Sequence, residues 1–177
     1  LPQILQEPMQ IRRLDSADAP AYQALRLHAL QESPTAFGSS YEEERDTPIG
    51  MIETRLAPNP DRHVFGAFVE AQLVGMAGLV RESGLKARHR GFIRAMYVAP
   101  SHRGKGIARH LLTEALALAQ RMPGLLQVTL SVTAGNESAT ALYRSFGFET
   151  YGVAPGALRV DGVLYDEVQM VRQLAAN

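Results

Sequence analysis

Apolar and polar positions along the chain change period several times, and each change marks an element. Residues 9–14 read as a strand, with Met9, Ile11 and Arg13 alternating against Gln10 and Arg12. Asp15-Ser16-Ala17-Asp18 then supplies caps for a helix that carries Leu25, His28 and Leu30 and stops at Pro34. Phe37-Gly38-Ser39-Ser40 is a loop, and a second helix covers residues 48–56, closed by Pro58-Asn59-Pro60. Residues 64–69 and 73–80 are apolar, β-rich runs joined by Glu70-Ala71-Gln72, the pattern of an antiparallel hairpin. A further strand runs over residues 91–98. The clearest helix spans residues 106–121, where Ile107, Leu111, Leu112, Ala115, Leu118 and Ala119 repeat at helical spacing before Met122-Pro123-Gly124. Leu126, Val128, Leu130 and Val132 then alternate with Gln127, Thr129 and Ser131, which predicts a strand with one buried face. Asn136 caps another helix, with Ala139, Leu142 and Phe146 on one side and Gly147 at its end. Asp161-Gly162 marks a final hairpin between residues 157–160 and 163–171.

The predicted order is βαα, three strands, α, β, α and a hairpin. It implies one α/β domain over residues 9–174, built on a mixed, mostly antiparallel sheet, with residues 1–8 as an N-terminal extension.

Composition narrows the function classes. Eighteen Lys and Arg balance eighteen Asp and Glu, which argues against a general nucleic-acid or membrane-surface binder. The chain has no Cys, so disulfides, thiolate metal sites and cysteine nucleophiles are excluded. No apolar run approaches the roughly 20 residues of a membrane span. No basic start followed by an apolar run opens the chain, so a cytoplasmic location is expected. The five His show no metal-ligand spacing, and no metal is expected. The charge is unevenly spread: residues 81–121 carry nine bases against Glu82 and Glu114. A basic zone in a neutral chain points to a bound anion.

That zone contains Met96-Tyr97-Val98-Ala99-Pro100-Ser101-His102-Arg103-Gly104-Lys105-Gly106-Ile107-Ala108, a strand, a turn and a helix start. Gly104 and Gly106 let backbone N–H groups approach a ligand closely. The first helical turn leaves its N–H groups unpaired and carries partial positive charge, a cradle suited to phosphate. A dinucleotide fingerprint fails because Arg109 stands where Gly is needed, and a P-loop fails because Gly106 follows Lys105. A turn that only caps a helix explains these residues equally well.

Arg103-Gly104-Lys105-Gly106-Ile107-Ala108 resembles the (Gln/Arg)-x-x-Gly-x-(Gly/Ala) pyrophosphate loop of the GNAT superfamily of N-acetyltransferases. Residues 89–98 resemble the strand before that loop, with Ala95 where many relatives have Gly. Asn136, Ala139, Leu142, Tyr143, Gly147 and Phe148 match the family's later Asn-x-x-Ala-x-x-Leu-Tyr…Gly-Phe pattern. The resemblance implies acetyl-CoA as cosubstrate, lying where the strand ending at Val98 splays from the strand ending at Val132. N–H groups of Arg103, Gly104, Lys105, Gly106, Ile107 and Ala108 would hold the pyrophosphate. Met96 and Val98 would pair with the pantetheine arm, and an N–H near Met96 or Tyr97 would polarise the thioester carbonyl. Asn136 would contact the arm, and Tyr143 would protonate the departing thiolate. From the residues alone, Asn136 is sufficiently explained as a helix cap, and Tyr143 reads more readily as a core residue than as a catalytic one.

The implied reaction is direct attack of a primary amine on the thioester, with a small molecule or a protein amino group as acceptor. A non-catalytic acyl-CoA sensor on the same scaffold is the alternative. Phe37, Tyr41, Glu42, Glu43 and Glu44 fall where relatives build the acceptor site, and the carboxylates would attract a cationic amine. Glu42, Glu43, Glu44, His89 and a water chain are candidates for the base. A homodimer through the final hairpin is a further expectation.

Overall fold

The computed structural model describes residues 8–175; most of the expected N-terminal extension lies outside them. Seven strands form one sheet: β1 (Met9–Arg13), β2 (Arg62–Val69), β3 (Gln72–Arg81), β4 (Arg90–Val98), β5 (Gln127–Thr133), β6 (Glu149–Val160) and β7 (Val163–Gln173). Their order is β1-β2-β3-β4-β5-β7-β6. Every neighbouring pair is antiparallel except β4 with β5. The helices are α1 (Ala19–Glu32), α2 (Tyr41–Glu44), α3 (Ile49–Leu56), α4 (Ile107–Arg121) and α5 (Glu137–Ser145). The mixed, mostly antiparallel α/β architecture is the one the pattern predicts.

The sheet is covered on both faces, which explains why β2 and β3 read as continuous apolar runs rather than alternating ones. One cluster joins the sheet to α4 through Val74, Leu79, Leu111, Leu112 and Ala115 and reaches Phe148 and Met170. The other lies under α1 and α3 and contains Ala29, Leu30, Ile52, Met76 and Tyr97. Each fully buried Leu or Ile side chain contributes about 1.5–3 kcal/mol. The stripe Ile107, Leu111, Leu112, Ala115 and Ala119 therefore fixes α4 against the sheet. Gly75 allows the close approach: a Cβ there would stand 3.1 Å from Leu111 and 3.2 Å from Ile107. This contact fixes the start of α4 beside the end of β4.

Three local expectations change. Leu126 is 54% exposed and lies outside the strand; Leu125, 3% exposed, fills the buried place instead. Residues 41–44, which showed no periodicity, form a single turn of helix capped by Ser40. The last hairpin starts at Glu149 rather than residue 157. Gly152, Pro155 and Gly156 suggest a break, but β6 is an edge strand and absorbs them at register shifts between Thr150 and Gly152 and between Ala154 and Leu158. Asp161 and Gly162 both have positive φ, as a two-residue hairpin turn requires. Among the described residues, no helix is long and apolar enough to cross a membrane.

Candidate active site

β4 and β5 are paired only over Arg90–Phe92 and Gln127–Thr129. Beyond Phe92 the strands diverge, and the edge of β4 over residues 93–98 has no partner from β5. A cavity of about 640 Å3 occupies the splay. A bulge shapes its wall: β4 carries one residue more than β3 between the pairs Met76–Tyr97 and Gly78–Arg94. Ala95 sits there at φ 54, a left-handed conformation that costs a non-glycine residue about 1–2 kcal/mol. A bulge re-aims the backbone groups around it.

At the other end of the cavity the chain leaves β4 and enters α4. Gly104 and Gly106 have φ of 75 and 78, which explains glycine at both positions. No side chain caps α4, and its first turn holds no acid, so the opening N–H groups remain available to an anion. Met96, Tyr97, Val98, Arg103, Gly104, Gly106, Ile107 and Ala108 all line the cavity, as do Asn136 and Tyr143. Lys105 is exposed and is not part of the lining.

The side chain of Arg103 turns away from the loop. Its Nε donates to the Val98 carbonyl (2.9 Å) and a terminal nitrogen donates to Glu32 (2.8 Å). The Tyr97 hydroxyl donates to the same carboxylate (3.0 Å), and Ser33 adds a third donor. These donors, Arg103 foremost, hold the Glu32 carboxyl down at about 2. Burial first, and Glu32 second, push the Tyr97 phenol up to about 12. The cluster ties the end of α1 to the turn before α4. Glu32 was not singled out from the sequence, because nothing local relates it to residues more than sixty positions away.

Asn136 caps α5 by accepting from the Ala139 N–H (3.2 Å). Tyr143 is 7% exposed and packs edge-to-face on Phe148, with ring centroids 6.0 Å apart. Burial pushes its phenol up to about 12, so the group keeps its proton at neutral pH. Arg109 braces α5 against α4 by lying over Phe146 and donating to Ser145.

The residues expected at the acceptor side divide. Phe37 is buried against Tyr97 and the Arg26 guanidinium. Tyr41 is half-buried against the cluster under α1. Glu43 accepts from the Ser40 N–H and hydroxyl, which closes the cap of α2. Glu44 forms a two-bond ion pair with Arg26, and despite the cost of burial this pairing keeps its carboxyl below the ordinary range. Glu42 alone of the three is exposed with no partner among the described residues. His89 precedes β4 at the paired end, about 20 Å of strand from Ala95 at ~3.3 Å per residue.

The structure adds residues that the sequence pattern did not mark. Arg94 borders the cavity and also a second one of about 400 Å3, whose lining includes Tyr22, Arg55, Arg62 and His63. His63 is 5% exposed; its Nε2 faces the Pro60 carbonyl and so carries the proton, and burial keeps the ring neutral. Arg94 stands out only as a charge inside an apolar strand. Among the described residues, no cluster of His, Asp and Glu could hold a metal ion.

Known proteins similar to this chain include acetyltransferases. An uncharacterized protein of Mycobacterium leprae is 35% identical over 115 residues, which are 65% of this chain but 30% of that protein. The N-alpha-acetyltransferase RimI of Mycobacterium tuberculosis is 38% identical over 115 residues, 65% of this chain and 69% of that enzyme. The structure of yncA from Salmonella typhimurium with its cofactor acetyl-CoA superposes with a TM-score of 0.80 at 23% identity, covering 96% of each chain. Residues 3–148 match the Acetyltransferase (GNAT) family as a whole. With the splayed β4, the open start of α4 and the buried tyrosine in one cavity, the chain belongs to the acetyltransferase (GNAT) family.

Proposed function

We propose that this protein transfers an acetyl group from acetyl-CoA to a primary amine within a ternary complex. The observation that carries this reading is one continuous wall: the open helix start, the unpaired β4 edge and Tyr143 line the same cavity. N–H groups of residues 103–108 bind the pyrophosphate, and the free edge at Met96 and Val98 pairs with the pantetheine arm as an added strand would. An N–H beside the bulge donates to the thioester oxygen as it gains charge. Asn136 supports the arm from the start of α5.

The amine attacks as its free base, forming the C–N bond at the carbonyl carbon. The C–S bond then breaks, and the leaving thiolate takes the Tyr143 proton. The nitrogen releases its own proton to solvent, and the phenolate is reprotonated from there. A phenol near 12 stays protonated until the thiolate forms, so it is an acid in this step and not a base. Glu32, held near 2 by Arg103, is too weak a base to deprotonate an ammonium group.

The test is thiol release from acetyl-CoA by the purified protein with a panel of neutral, cationic and anionic amines. Amine-dependent release with a matching acetylated product supports the reading. Tight binding of acetyl-CoA with no release for any amine would make the protein a sensor.

A further inference from the structure

The second cavity, on the α1–α3 side of the bulge, carries the opposite charge to the one the acidic run suggests. Arg55 of α3, Arg62 of β2 and Arg94 of β4 line it, together with the Arg26–Glu44 pair. Glu44 is paired with Arg26 and also feels the charge of Arg55, so the lining carries four arginines against one carboxylate. Arg26 is the arginine of this cavity that forms an ion pair. Among the described residues, Arg55, Arg62 and Arg94 have no carboxylate within 4.0 Å, although Arg55 lies close enough to Glu44 to help hold its carboxyl below the ordinary range.

Arg94 is exposed, like Arg55 and Arg62, but its stem is packed. Its stem crosses Gly78, where a Cβ would meet Arg94 Cγ at 3.0 Å, so the missing side chain makes room for the arginine. The neighbouring residue, Ala95, is the bulge, and both residues line the acetyl-transfer cavity and the second cavity. A molecule filling the second cavity therefore reaches the reacting end of the first. Three arginines from three elements lining one cavity suit a planar oxyanion, which arginine holds by two parallel hydrogen bonds. A volume of about 400 Å3 suits a small molecule.

We propose that this second cavity binds the carboxylate, or a similar oxyanion, of a small amine acceptor, gripped by Arg94 with Arg55 and Arg62 while the amine reaches the bulge at Ala95. The proposal rests on the acetyl-transfer reading and names the substrate class of that same site.

Binding is measured first, without turnover. The full chain saturated with CoA is titrated with the N-acetyl derivatives of glycine, β-alanine and 4-aminobutyrate, which stand for products of increasing amine-to-carboxylate distance. The matching carboxamides serve as neutral controls. At least one carboxylate should bind roughly 10- to 100-fold more tightly than its amide, the range expected for a charge-assisted contact. That ratio should fall to near one in Arg94→Gln and recover in part in Arg94→Lys, which restores charge without the fork. Arg55→Gln and Arg62→Gln, at exposed positions, should each lower it by a smaller factor while melting temperature holds.

Equal binding of acids and amides at every length would overturn the proposal. So would a preference that survives all three Gln variants. Thiol release separates the two readings. Turnover of neutral amines with no carboxylate preference overturns the anion site and keeps acetyl transfer. Carboxylate binding with no release from any amine keeps the anion site and overturns acetyl transfer.

Discussion

The two cavities that meet at Ala95 are built on different principles. The first is made largely of backbone: a strand edge with no partner, two glycines at positive φ and the open end of a helix. The second is made of side chains, with three arginines arriving from three separate elements. Backbone groups are the same in every sequence, so a backbone site suits a ligand common to many enzymes. A side-chain site can change one residue at a time and suits a ligand that varies. On the proposed reading, acetyl-CoA and the acceptor's carboxylate lie on opposite sides of one bulge.

In the proposed mechanism Tyr143 is the proton donor of the first cavity, and its removal should have the largest effect. Tyr143→Phe keeps the ring against Phe148 and deletes the proton donor. If chemistry limits turnover, kcat should fall about 10²- to 10⁴-fold, the usual worth of general acid catalysis, with acetyl-CoA affinity nearly unchanged. Steady-state kinetics together with a melting curve check this. A stable variant with full kcat would reduce the tyrosine to a packing residue and leave the first cavity a backbone site throughout.

The next largest effect tests the backbone itself. Gly106→Pro removes an N–H from the cradle and forces φ from 78 to about −65 at the start of α4. Acetyl-CoA affinity should drop by about 10- to 100-fold, the worth of one charge-assisted hydrogen bond to the pyrophosphate together with the displaced turn. Calorimetric titration reads the loss, and circular dichroism confirms the fold. Gly104→Ala is milder: a Cβ there meets nothing within 4 Å, so only the positive φ opposes it. The affinity loss should stay near tenfold, in line with an αL penalty of about 1–2 kcal/mol.

The same contrast decides what could be read from the sequence. The helix of α4 declared itself through its 3.6-residue apolar stripe, and the cradle through two glycines ahead of it. Both signals are local. The splay of β4 from β5 was legible only through family resemblance, because no periodicity records where a ladder ends. Glu42, Glu43 and Glu44 look alike in sequence but have three different fates, set by Ser40 for one and by Arg26, eighteen residues away, for another. Arg55, Arg62 and Arg94 are far apart in sequence, and only the fold brings them to one cavity. Glu149 to Gly156 carries turn residues, and its strand pairing depends on its place at the sheet edge.

Glu32 ties the end of α1 to the turn before α4, beside the first cavity, and provides a pH test. Its carboxyl ionises near 2 in the folded chain against an ordinary 4.5, because Arg103, Ser33 and Tyr97 donate to it. A depressed value means the contribution is complete above pH 4.5 and is lost as pH falls from 4.5 toward 2. The Arg103 partner is 46% exposed and therefore screened, so the contribution is about 1 kcal/mol rather than the full shift. Glu32→Gln should be less stable than the parent by that amount at pH 7, with the gap closing as pH falls toward 2. Denaturant titrations at pH 7, 4 and 3 measure it. A gap that stays constant with pH would mean that Glu32 acts by packing and not by charge.

The smallest effect is expected at Ala95, which together with Arg94 borders both cavities. Ala95 holds φ 54, where its Cβ costs about 1–2 kcal/mol. Ala95→Gly removes that strain but gives the unfolded chain more freedom to lose, a cost of about 0.4–1 kcal/mol. The two terms oppose each other, so the variant should lie within about 1 kcal/mol of the parent, on the stabilising side. Its kinetic outcome sharpens the comparison more than its stability does. If the bulge serves only to aim the backbone N–H at the thioester, glycine aims it equally well and kcat should stay within about twofold. If the Cβ also separates the acetyl group from whatever fills the arginine-lined cavity, removing it loosens the acceptor, and KM for the amine should rise while acetyl-CoA affinity holds. Unchanged KM for every amine would show that the boundary between the two cavities is made by the backbone alone.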